Sequence, residues 1–190
     1  MTIDNNQPQR KNIRLKDYDY STPGLYFVTV CTKDKKPILC RIVGTDANSA
    51  VSLCRFATSP SHREGVFLGG PKVVMFEYGK IANEQIKNMT VFYDNVKVEK
   101  YVIMPNHIHF ILSVAESASG PPGRSVPTNN AISNFVGTFK RFCNKKYGKN
   151  IWQARSNDHI IRGQHDYRKI WEYIDENPVR WTCDKFYFEE

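Results

Sequence analysis

Four residues in the C-terminal half of this chain have the types and spacing for phosphoryl chemistry: His107, His109, Tyr173 and Asn177. The first two lie in Tyr101-Val-Ile-Met-Pro-Asn-His-Ile-His-Phe-Ile-Leu112. That stretch reads as a strand, a tight Pro105-Asn106 turn and a second strand that opens on the histidines. Alternate residues of a strand share a face, so His107 and His109 project together, roughly 7 Å apart, and Ile108 points the other way. Neutral imidazole is the commonest metal ligand in proteins, and two so placed can converge on one ion. Alone, a His-x-His pair is more often two ordinary polar residues on a sheet face. A second pair shifts the balance. In Tyr173-Ile-Asp-Glu-Asn-Pro-Val-Arg180, Tyr173 and Asn177 are one helical turn apart and share a face.

If that helix crosses the sheet face carrying the histidines, two imidazoles and the Asn177 carbonyl oxygen can meet as ligands, with the Tyr173 hydroxyl a turn away. A divalent ion polarises a phosphate oxygen and holds the phosphorus in place. A tyrosine hydroxyl can attack it and form a covalent phosphotyrosine. With an ordinary pKa near ~10, tyrosine is a poor nucleophile at neutral pH and needs a nearby cation. Lys169, one turn earlier on the same face, is placed to help. Mixed nitrogen and oxygen donors with open positions suit Mg2+ or Mn2+ better than a closed zinc site.

The elements that must position these groups can be read from periodicity. Residues 1–22 form a basic N-terminal arm containing Arg10 and Lys11, and residues 23–190 form one catalytic domain. Leu25–Thr32 is rich in β-branched and aromatic residues and reads as a strand, paired with a second at Pro37–Val43. Residues 44–71 are patternless and read as a partly ordered insertion. A helix over Gly79–Tyr93 precedes strands at Val96–Met104 and His107–Val114. Both strands are apolar at nearly every position, so the hairpin is interior. Residues 115–128, rich in Ser, Gly and Pro, form a flexible connection. An amphipathic helix over Asn130–Tyr147 turns Phe135, Val136 and Phe139 inward and Lys140, Arg141, Lys145 and Lys146 outward, and stops at Gly148. Asp158–Arg162 is a short strand, and a last helix runs from His165 to Asn177, which Pro178 ends. This order predicts an α+β fold: a ferredoxin-like (RNA-recognition-like) antiparallel sheet covered by helices.

Composition narrows the partner. The formal charge is +8, from 27 Lys and Arg against 19 Asp and Glu, and a polyanion is the partner such a surface attracts. No apolar run approaches the ~20 residues that cross a bilayer, so no membrane partner is expected. The polar N-terminus lacks the apolar segment of a secretory signal, and a cytoplasmic location is expected. Five scattered cysteines read as reduced thiols. His159 in its short strand reads as structural, and Trp152 as an anchor at the edge of the core.

Together, Pro-Asn-His-Ile-His within a strand pair and Tyr-Ile-x-x-Asn-Pro on a helix resemble the HUH single-tyrosine transposases, most closely the REP-associated group. Trp152-Gln153, Asp158-His-Ile-Ile-Arg162 and Asn177-Pro-Val-Arg180 add to it, so the likeness spans about Gly24 to Trp181 around the insertion. The resemblance implies cutting and rejoining of single-stranded DNA beside short hairpins, without ATP, through a 5′-phosphotyrosine and a free 3′-hydroxyl. It implies Tyr173 as nucleophile and His107, His109 and Asn177 as ligands of Mg2+ or Mn2+. Relatives often carry Gln at that last place. They also commonly have an aromatic residue where this chain has Arg155-Ser156-Asn157. DNA contacts are expected from Arg10, Lys11, Lys140, Arg141, Lys145, Lys146 and Lys169. Relatives act either as a monomer or as a homodimer that exchanges the tyrosine helix. Two other functions compete: a non-catalytic binder of single-stranded nucleic acid, and a protein that uses the two histidines for a structural metal alone.

Overall fold

The computed structural model describes residues 18, 20, 22–44, 71–115 and 131–187. Arg10 and Lys11 of the expected arm, most of the 44–71 insertion and nearly all of the 115–128 connection lie outside them. Among the described residues six strands are present: β1 (Gly24–Cys31), β2 (Cys40–Val43), β3 (Lys72–Met75), β4 (Val96–Ile103), β5 (His107–Val114) and β6 (Asn157–Ile161). Three α-helices accompany them: α1 (Glu77–Phe92), α2 (Ala131–Tyr147) and α3 (Gly163–Glu176). Four strands form the main sheet in the order β4-β5-β1-β6, with every pair antiparallel. This is the ferredoxin-like α+β plan expected from the sequence, with α1 leading from the β1 side to β4 and α2 from β5 to β6.

The sheet separates two layers by simple alternation. Tyr26, Val28 and Val30 of β1 and Ile108, Phe110 and Leu112 of β5 are buried under α1 and α2, against Ile86, Met89, Phe135 and Phe139. The opposite face carries Leu25 and Phe27 of β1, Ile111 of β5 and Ile161 of β6, and α3 covers it with Tyr167, Ile170, Trp171 and Ile174. A sheet buried on both faces explains why β5 is apolar almost throughout. Gly148, at φ +70°, ends α2 in the left-handed conformation that glycine tolerates best.

The sequence reading missed β3, a four-residue strand that pairs with β2 in a separate two-stranded sheet. The expected second strand also begins later, at Cys40, because the Ile38 and Leu39 N–H groups donate to the carbonyl oxygens of Lys36 and Pro105 instead of to a strand partner. Tyr20, within the segment read as an arm, is buried and packs on Tyr26. Cys183 is disulfide-bonded, against the expectation of reduced thiols, whereas Cys31, Cys40 and Cys143 are free. Trp152 is buried as expected and is bridged to Thr32. No helix among the described residues is long and apolar enough to cross a membrane.

Candidate active site

β5 enters the site from the Pro105-Asn106 turn, which is tied down on all sides. Thr32 donates its backbone N–H (2.9 Å) and its hydroxyl (3.0 Å) to the Asn106 carbonyl oxygen. The Asn106 amide donates to the carbonyl oxygens of Lys35 (3.1 Å) and Phe186 (2.8 Å). From this fixed start His107 and His109 point together toward α3, their ring centroids 4.4 Å apart, and the two residues are 0% and 1% exposed.

Each imidazole is held through Nδ1. Both Asn106 amide hydrogens are spent on carbonyls, so Asn106 Oδ1 accepts from His107 Nδ1–H at 2.8 Å. His109 Nδ1 lies 2.9 Å from the hydroxyl of Thr29, its cross-strand neighbour. With Nδ1 protonated, each ring offers the Nε2 lone pair to an ion. Phe27 stacks on His109 at 5.0 Å, and Phe186 lies 4.6 Å from His107. Burial, with the charges of Lys185 and Lys35, pushes the His107 pKa down to about 3. Burial also holds His109 well below the usual histidine range, and the neighbouring His107 adds to it. Both rings are therefore neutral at pH 7, the state that binds metal.

α3 supplies the other two residues. Asn177 keeps helical angles (φ −55°, ψ −43°) even though it precedes Pro178, a position where that geometry is disfavoured. The helical register thus carries through, and Tyr173 and Asn177 stay on one face. The Tyr173 hydroxyl stands 3.3 Å from His109 Nε2. The juxtaposition read from the two motifs is present within a single chain.

Asp184 is a further component that the sequence reading did not contain. The segment after α3 turns back through a 3-10 turn (Trp181–Cys183) and brings this carboxylate into the site. Asp184 Oδ2 accepts from the Tyr173 hydroxyl at 3.1 Å and from the Asn177 amide at 3.3 Å, and Oδ1 accepts from the Phe186 backbone N–H at 2.7 Å. Ligand atoms of His107, His109 and Asp184 lie within 4.8 Å of one another. Donors around one small cation at ~2.1 Å stand up to ~4.2 Å apart, so a slight contraction suffices. Two buried polar atoms nearby have no hydrogen-bond partner among the described residues: His107 Nε2 and Asn177 Oδ1. Uncompensated buried acceptors are costly. Two imidazole nitrogens, an amide oxygen and a carboxylate form a donor set that fits a divalent cation.

The cationic residues are distributed differently from expectation. Lys169 is exposed, and the charged group at the Tyr173 hydroxyl is Asp184. Burial raises the Tyr173 pKa above the ordinary tyrosine value, and the Asp184 charge raises it further. Lys140 donates to the carbonyl oxygens of Gln153 (2.8 Å) and Ala154 (3.3 Å), and burial lowers its pKa to about 8. Arg141, Lys145 and Lys146 are exposed on α2, which packs on the sheet face opposite the histidines. The exposed cations beside the site are Lys35 and Lys185, each about 5 Å from the centre of the Phe186 ring. His159 is anchored to the start of α3 by Asp166 at 2.9 Å, in keeping with a structural role.

No protein-family model matches the chain. An uncharacterised protein of Haemophilus influenzae is 27% identical over 195 residues, covering 95% of this chain and 94% of that protein. A REP-associated tyrosine transposase of Escherichia coli is 31% identical over 84 residues, 44% of this chain and 45% of the transposase. Among solved structures, a REP-associated tyrosine transposase bound to a REP hairpin superposes over 90% of this chain and 76% of its own, with a TM-score of 0.52 and 21% identity. In fold over most of its length, and in sequence over part of it, the chain resembles the REP-associated tyrosine transposases.

Proposed function

We propose that the chain is a metal-dependent single-strand DNA endonuclease and strand transferase that cuts and rejoins DNA beside hairpins through a phosphotyrosine at Tyr173. The observation that carries this reading is the gathering of His107, His109 and the Asp184 carboxylate around the Tyr173 hydroxyl, with the Asn177 amide donating to the same carboxylate. The similarity to transposases supports it.

His107 and His109, with Asn177 and Asp184 completing the oxygen donors, would hold Mg2+ or Mn2+. When bound, the cation polarises the scissile phosphate and offsets the raised Tyr173 pKa. The Tyr173 oxygen bonds to phosphorus as the P–O3′ bond breaks, leaving a 5′-phosphotyrosine and a 3′-hydroxyl. Asp184, already accepting the Tyr173 hydroxyl hydrogen, would take that proton and return it, directly or through water, to the departing O3′. Attack by a 3′-hydroxyl reverses the step, and the phosphotyrosine conserves the bond, so no ATP is needed. Lys35 and Lys185, exposed beside the site, would meet the flanking phosphates. Tyr173 reaches His109 of its own chain, which supports the monomer over the homodimer that exchanges the tyrosine helix. A cytoplasmic location, where such a DNA substrate lies, is part of the same proposal.

The test is a labelled single strand with a hairpin, incubated with Mn2+ or Mg2+ and run on a denaturing gel. A covalent protein–DNA band lost in Tyr173→Phe is the expected result. A shifted complex with no covalent band in either metal would leave a nucleic-acid binder. His107→Ala should abolish the band while DNA affinity stays within about threefold, since phosphate contacts dominate affinity.

A further inference from the structure

A groove of about 540 Å³ opens directly beside the histidine pair, lined by Phe27, Thr29, Asn157, Asp158, Arg162 and Lys185 among others. It runs over β6, which lies at one edge of the main sheet. Its volume falls within the range of small-ligand sites. The groove is continuous with the candidate active site through two residues. Phe27 stacks on His109 and meets Tyr173 edge-on at 6.0 Å, and Thr29 contacts His109 Nδ1. Phe27 is only half-buried, so part of its ring remains open to the groove. Asn157 pairs with Thr29 across the strands and shares its face, so a half-buried amide stands one strand away from the histidine ligand. Arg162 and Lys185 are exposed cations on the rim.

An aromatic surface, an amide that both donates and accepts, and two rim cations match the base face, the base edge and the phosphates of a nucleotide. Bases stack on aromatic rings whatever their identity, amides read base edges, and cations take phosphates. We propose that this groove is a nucleotide subsite for the base next to the scissile phosphate: Phe27 stacks it, Asn157 reads its edge, and Arg162 and Lys185 hold the flanking phosphates. This rests on the reading of the chain as a single-strand DNA enzyme, and makes Asn157 a specificity-determining residue.

The experiment measures binding without divalent metal, by fluorescence anisotropy, of short single strands of one base type and of an abasic strand of equal length. The protein should bind its preferred base about tenfold tighter than the abasic strand, the scale of one stacked base. Asn157→Ala should flatten the preference among bases while leaving the advantage over the abasic strand. Phe27→Leu should remove that advantage, with thermal melts verifying that both variants fold. If Phe27→Leu fails to fold, single abasic replacements beside the cut in a cleavable strand serve instead: one position should matter in the wild type and lose its base selectivity in Asn157→Ala. Unchanged base preference in Asn157→Ala would overturn the proposal. So would competition by a free deoxynucleoside monophosphate as effective as by the strand. A missing covalent band with an Asn157-dependent base preference would remove the Tyr173 chemistry and keep the subsite; the converse would remove the subsite alone.

Discussion

A histidine offers a metal whichever ring nitrogen its other hydrogen bond leaves free, and here Asn106 makes that choice for His107. Its amide hydrogens are committed to Lys35 and Phe186, so only its oxygen can face Nδ1. Asn106→Ala should therefore weaken Mn2+ binding about 10–100-fold, the usual cost of losing such a partner, as read by titration calorimetry. An unchanged affinity would mean that packing against Phe186 alone orients the ring. The two oxygen donors can be separated in the same assay. Asn177→Ala should weaken Mn2+ binding by leaving a ligand position open, and Asp184→Asn should weaken it more, because it also removes the site's negative charge. If neither change moves the affinity, the histidines bind metal without α3 and its following turn. His107, His109, Tyr173 and Asn177 were legible in the sequence because each pair is fixed by a local period, two along a strand and nearly four along a helix. Asp184, Thr29 and Asn106 were not. They reach the site through chain reversals and strand pairing that leave no periodic trace.

At the scale of elements, the site depends on how α1 meets the loop before β2. Leu39 donates its N–H to the Pro105 carbonyl oxygen, so it braces the turn that launches β5. Gly79 lies against Leu39 from α1, and a Cβ there would overlap the Leu39 carbonyl oxygen. Gly79→Ala should accordingly destabilise the fold by about 1–3 kcal/mol, despite alanine's better helix propensity, because backbone atoms must shift. Thermal melting checks the sign: a raised midpoint would show that the loop yields freely. The main-sheet strands and the three helices among the described residues were legible to within a few residues, since each has a clear period and, for α2 and α3, a breaker at its end in Gly148 and Pro178. β3 was hidden for a physical reason. Four residues carry too little alternation to identify a strand, and its partner lies across residues 45–70.

At the scale of the whole molecule, the buried histidine pair makes stability depend on pH. The His107 pKa falls from an ordinary 6.5 to about 3 in the folded chain, and His109 moves in the same direction. Below pH 6.5 the unfolded chain takes up protons that the folded chain refuses. Stability should therefore be fully present above about pH 6.5 and fall as pH drops toward about 3, by about 1.4 kcal/mol per pH unit for each proton. Asp166, whose carboxyl is held below its ordinary 3.8 chiefly by the Arg162 backbone N–H, contributes stability that is lost only beneath that value, so its effect lies outside most of this window. Metal adds a second dependence with the same direction. Mn2+ at ~100 times its Kd should stabilise the protein by about 2.7 kcal/mol at pH 7, and EDTA should remove the gain. Because Nε2 must be unprotonated to bind, the gain should persist lower in pH than for an exposed histidine site, down to the depressed folded pKa values. Melting curves with Mn2+ and with EDTA, taken from pH 7 to pH 5, test both effects. A midpoint flat in pH under EDTA would show that water reaches the rings. A Mn2+ gain that vanishes near pH 6.5 would show that the ligands titrate as ordinary exposed histidines and that burial has not prepared them for a cation.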